Sequence, residues 1–161
     1  MERSAGRREQ PYRKHGVDDI WFQIHTRCVN VDAPEDFFDW LDRIEAKARG
    51  GDEHARKTLA RAADALQQLR NLDGPPHSET PDLKRVRQSR QYPVWRTAHP
   101  FDPSIAFRLI CWFPPDSDTV VVALFAADKA RMGDVFYNSV GPRADTAIRD
   151  WLHQTRGEQP S

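Results

Sequence analysis

The chain has 161 residues, 39% of them hydrophobic, which is enough for one domain core and not for two. Its 24 basic and 24 acidic side chains cancel, so the net charge offers no argument for a polyanionic partner. There is no run of about eighteen apolar residues, no apolar stretch behind the opening MERSAGRREQPYRKHG, and no metal-ligand spacing among the scattered histidines, so a soluble, cytoplasmic protein without metal or cofactor is expected.

Residues 1–19 are polar and rich in arginine, a composition that predicts a flexible arm. From Ile20 the string IWFQIHTRCVNV clusters β-branched and aromatic residues up to an Asp-Ala-Pro break, and reads as a first strand. Asp32 stands where an N-cap belongs, with Glu35 and Asp36 behind it and Phe37, Phe38, Leu41 and Ile44 at helical spacing. Gly50 and Gly51 end that helix, and Asp52 caps a second one carrying Leu59, Ala62, Ala63, Leu66 and Leu69 as far as Asn71. The two form a helical hairpin. The three prolines of GPPHSETPD, residues 74–82, then mark an exposed connection.

Three strand-like segments follow, over 83–98, 105–113 and 119–127, and an antiparallel meander is the simplest way to join them. Gly141 and Pro142 precede a last helix over 143–153, with Ala144, Ala147, Ile148, Trp151 and Leu152 on its apolar side. The expected architecture is therefore α+β in the order β-α-α-β-β-β-α. One domain spans 20–156, and 157–161 reads as a disordered tail. Cys28 and Cys111 lie in apolar stretches and are expected as reduced core residues. Trp21 and Trp40 are assigned to packing, and Trp95, Trp112 and Trp151 to the core rather than to base stacking.

Charge is unevenly distributed along the neutral chain. Between Lys84 and Arg131 stand eight basic residues against four acidic ones, which predicts a locally positive face. Three strings there carry a resemblance. The strand VWRTA, the strand AFRLICW and the run ALFAADKARMGDVFY, in this order of elements, resemble the toxins of the RelE/ParE superfamily, and the last string also looks like divergent actinobacterial or phage-borne members. The likeness covers roughly residues 20–155.

That resemblance implies the toxin of a type II toxin-antitoxin pair: a metal-independent, ribosome-dependent endoribonuclease that cuts mRNA and inhibits translation. Its partners are a cognate antitoxin, the ribosome and mRNA. It implies a catalytic set of Arg96, Arg108, Arg131 and Tyr137, with Lys84, Arg85, Arg87 and Lys129 contacting RNA. Arginines suit the part because their fork matches phosphate oxygens and stays protonated. Tyr137 serves as a base only if neighbouring cations lower a phenol pKa from its ordinary value near ~10. The same residues also fit blander roles. Arg96 and Arg108 are at home on a solvated sheet face, Lys84, Arg85, Arg87 and Arg90 on a protected edge strand, Tyr137 at a core boundary and His99 on a polar surface. A ParE-like toxin that binds DNA gyrase without cutting RNA, and a catalytically silent protein-binding relative, are the alternatives of the same fold.

Overall fold

The computed structural model describes residues 29–98, 105–128 and 134–157, with the backbone alone for 134–137. Lys129 and Arg131, the side chain of Tyr137, His99, Cys28, the arm 1–19 and the first part of the predicted strand from Ile20 lie outside that description. The described chain forms β1 (Asn30–Asp32), α1 (Glu35–Arg49), α2 (Glu53–Arg70), β2 (Leu83–Arg85), β3 (Val94–Thr97), β4 (Phe107–Trp112), β5 (Val120–Asp128) and α3 (Asp134–Gly157).

The class is α+β, as the sequence indicates, but the sheet is not a simple antiparallel meander. Five strands run in the order β1-β5-β4-β3-β2, and β1 lies parallel to β5 with Asn30 opposite Val120. The expected strand over 83–98 is two short strands. Pro93 can donate no ladder hydrogen bond, and the chain turns back between Val86 and Val94, whose backbones meet at 2.9 Å (Val86 N–H to Val94 carbonyl). Ser89 Oγ closes the turn on the Tyr92 carbonyl at 2.6 Å.

Helix boundaries follow local chemistry with two corrections. Asp52 caps α2 as expected, its carboxylate accepting the Ala55 N–H at 3.0 Å, and Gly51 takes φ of 99° to end the preceding turn. Asp32, however, does not cap α1, whose N-cap is Pro34. Its carboxylate instead accepts the Ala33 N–H at 2.8 Å and the Trp151 indole N–H at 3.0 Å, tying β1 to the end of α3. The last helix begins nine residues before the expected start at Arg143, so Pro142 lies inside it. Gly141, with no Cβ to meet the proline ring, helps the helix run through that position.

The sheet is covered on both faces, which is why β4 and the first two-thirds of β5 are apolar almost throughout. The helical hairpin packs on one face around Phe37, Leu41, Leu66, Leu69, Leu109 and Val121. Helix α3 packs on the other around Val94, Ile110, Trp112, Val122, Val140 and Ile148. A bulge opposite Ile110 and Cys111 turns both Leu124 and Phe125 toward α3. Cys111 is a free, fully buried thiol, and burial pushes its pKa well above the ordinary thiol value. Trp95 and Trp112 are buried and Trp151 packs edge-on to Trp112 at 5.9 Å, as core residues do. Among the described residues, no helix is long and apolar enough to cross a membrane.

Candidate functional site: a cationic row at one end of the sheet

Strand alternation settles which cations share a face. Val94, Ile110 and Trp112 face α3, so Arg96, two residues after Val94, and Arg108, two before Ile110, face the same way. Arg96 stands directly opposite Ile110, which makes Arg108 its diagonal neighbour, at a Cα spacing of roughly 7–8 Å. Lys84 on β2 stands directly opposite Arg96. Three cations thus run across β2, β3 and β4 on the α3 side of the sheet, toward the end where β5 leaves at Asp128.

Two of these positions oppose ordinary sheet design. Like charges directly across an antiparallel pair destabilise it, and Lys84 and Arg96 are such a pair. Arg108 is the one residue of the central strand β4 that is not buried. Its guanidinium folds back to donate to the Phe107 carbonyl at 2.9 Å.

A carboxylate stands beside the row. Glu79, in the Pro-rich connection, accepts the Arg85 N–H at 2.9 Å and lies 3.8 Å from the Arg87 guanidinium. The hydrogen bond from Arg85, and then the charges of Arg87, Lys84 and Arg96, hold its carboxyl below the usual carboxylate range. Because β2 is the outer strand, that same bond occupies a backbone donor on the exposed edge. Arg87 is fully solvated, with 82% of its side chain exposed. Arg85 lies apart from the row: its guanidinium stacks on Trp95 at 5.0 Å, on the hairpin side of the sheet.

The expected site residues therefore divide. Lys84, Arg96 and Arg108 share one face, Arg87 stands beside it at Glu79, and Arg85 is on the other. Lys129 and Arg131 belong to the five-residue connection between Asp128 and Asp134, outside the described residues.

A second pair at this end has no counterpart in the sequence reading. His54, in the first turn of α2, brings Nε2 to 3.8 Å from Asp128 Oδ2. The carboxylate is anchored, since its Oδ1 accepts the Ala106 N–H at 3.0 Å. Register places Asp128 opposite Phe107 and Ala127 opposite Arg108, so the histidine-carboxylate pair and the cationic row flank the same strand ends from opposite faces. The only available sequence signals were single: one histidine after a helix cap and one aspartate at a strand end, 74 positions apart.

A separate cleft of about 720 Å³ opens between α1 and α3 along β5, with Trp40, Arg43, Phe125 and Arg143 among its walls. Arg143 rests its guanidinium on the Phe125 ring at 4.1 Å, and burial lowers its pKa from the ordinary arginine value. The cleft contains no member of the cationic row. Among the described residues, no cluster of three or more histidine, cysteine, aspartate or glutamate side chains is arranged to hold a metal. No family model, curated protein or solved structure matches the chain.

Proposed function

We propose that this protein is a toxin of the RelE/ParE type that cuts mRNA on the ribosome, uses no metal, and is held in check by an antitoxin. The observation that carries the reading is the row Lys84, Arg96 and Arg108, in which two cations directly oppose each other across a strand pair. A polyanion relieves that repulsion, and an RNA backbone supplies one negative charge per nucleotide.

In such a reaction the RNA 2′-hydroxyl attacks its own phosphate. The protein's work is to hold the phosphate, to offset the charge that grows on the non-bridging oxygens, and to move two protons. Arg96 and Arg108 suit the first two tasks, because guanidinium groups bind phosphate oxygens in pairs and remain charged. Arg131 is assigned to offsetting the same charge, Lys129 to contacting RNA, and Tyr137 to acting as base or stacking on a nucleotide of the substrate.

The test is induced expression of wild type beside Arg96→Ala and Arg108→Ala, with growth followed and mRNA 5′ ends mapped in the same cells. Growth arrest with new codon-phased ends, lost in both variants while circular dichroism stays unchanged, is the expected result. Arrest without new ends refutes the nuclease reading and favours a gyrase-type target.

A further inference from the structure

We infer that the free edge of β5 takes up an extended peptide segment of a partner protein as a further strand, in the cleft between α1 and α3; this does not depend on the RNA-cleavage reading. β5 spans Val120–Asp128, yet β1 pairs only with Val120, Val121 and Val122. In a parallel ladder alternate residues donate to the neighbouring strand, and the Asn30 N–H binds the Thr119 carbonyl at 2.7 Å. The donors in phase with it stand at positions 32 and 34, and Pro34 has no N–H to give. There β1 ends and the chain enters α1. Residues 123–128, about 20 Å of strand, have β4 on one side and no strand among the described residues on the other.

The two edges of the sheet are treated differently. On β2, Glu79 occupies a backbone donor, whereas the open half of β5 reads ALFAAD, with neither the lysine nor the proline that keeps an edge from pairing. The cleft lies along this open half, with Leu124, Phe125 and Ala126 in its wall. Phe125 packs on the α3 side and Ala126 on the hairpin side, so a strand laid beside them meets Phe37 and Trp40 on one face and Ala147 on the other. A second copy cannot bring its own β5 edge here, because that edge stands between the same two helices. A single extended segment fits.

Charge sets the chemistry of that segment. The start of α1 meets the end of α3, where the Glu35 N–H binds the Gln154 side chain at 3.2 Å. Asp36 and Asp150 line the cleft near this junction, and Arg43 and Arg143 line it two helical turns, about 10 Å, further along their helices. Both helices run toward the far end of β5: Arg143 rests on Phe125, and Trp40, one turn before Arg43, lies 6.4 Å from Phe107, the residue opposite Asp128. The cleft is acidic where β1 stops and basic at its other end. Its complement is a segment with an apolar middle, a basic side chain beside Asp36 and Asp150, and an acidic one beside Arg43 and Arg143.

The probe is a short synthetic peptide with blocked ends that alternates valine and threonine, with lysine first and glutamate last. The same peptide in reverse order is used beside it, since an edge accepts parallel and antiparallel strands. Binding to the full chain is read by anisotropy of the labelled peptide and by amide shifts along β5. Wild type is expected to bind at least one of the two. Replacing both charged ends by serine, or the exposed Arg43→Glu in the protein, is expected to weaken binding about tenfold. N-methylation of one alternate set of peptide amides is expected to abolish binding, and methylation of the other set to leave it intact, because only one set faces β5. Equal effects of the two methylations make the cleft an apolar pocket and overturn the inference. It falls equally if neither peptide binds, if serine ends cost nothing, or if the peptide dissociates a dimer of the full chain, which makes a second copy the occupant.

Discussion

Gly141 is the position where two familiar rules oppose each other. It sits inside α3, where alanine normally improves on glycine by about 0.8–1 kcal/mol. A Cβ built there, however, lies 2.4 Å from the Gln88 carbonyl oxygen and 2.9 Å from its carbon, and both are backbone atoms. The loop that contains Gln88 cannot simply retreat, because Val86 N–H binds the Val94 carbonyl at 2.9 Å and Ser89 Oγ binds the Tyr92 carbonyl at 2.6 Å. Relief therefore means lifting α3 by roughly an ångström from Val94, Ile110 and Trp112, an overpacking cost of about 1–3 kcal/mol. The methyl also meets the ring of Pro142, which disfavours helical backbone at a preceding residue with a side chain. Gly141→Ala should then lose about 1–2 kcal/mol net. At a slope near 2 kcal/mol/M this lowers the urea midpoint by about 0.5–1 M. Urea titration followed by far-ultraviolet circular dichroism and tryptophan fluorescence measures it. Gly74→Ala, whose added Cβ would meet the Asp118 carbonyl oxygen at 3.8 Å, an ordinary van der Waals contact, is the control and should move little. A Gly141→Ala midpoint at or above wild type would refute the packing of α3 on the 86–93 loop.

Two further outcomes follow from buried and capping groups. Cys111, fully buried with its thiol pKa raised, should resist a thiol reagent at pH 8 in the folded protein and react in urea; rapid labelling without denaturant would contradict its place in the core. Asp52 has its carboxyl lowered first by the Ala55 N–H, so it stabilises the fold above its unfolded pKa, near ~3.9, and that contribution disappears as pH falls through the folded value. Asp52→Asn should therefore lose less melting temperature than wild type between pH 5 and pH 2, at about those bounds; parallel melting curves would show that the carboxylate is not capping α2.

What could be read from the sequence was whatever a short window encodes. The hairpin of α1 and α2 was legible because apolar spacing, Gly50-Gly51 and Asp52 are all local signals. The split of 83–98 into two strands depended on whether Pro93 and the residues before it turn or extend, and only pairing with β4 decides that. Asp32 looked like a cap until α3 brought Trp151 to it from 119 positions away. For the site, alternation alone put Arg96 and Arg108 on one face, since both strands have a period of two. The opposition of Lys84 to Arg96, the reach of Glu79 and the pairing of His54 with Asp128 need register and tertiary placement, which no window contains.

The parallel pairing of β1 with β5 joins positions 30 and 120. A ribosome adding roughly 5–20 residues per second needs about 5–18 s to make the intervening chain. During that interval β1 has no strand to pair with, and α1 and α2 can close on each other before their sheet exists. The last strand to emerge is also the one that joins the two ends of the fold. Assembly of the sheet, and of the strand ends that carry Arg108 and Asp128, therefore waits for Val120–Asp128 to leave the exit tunnel.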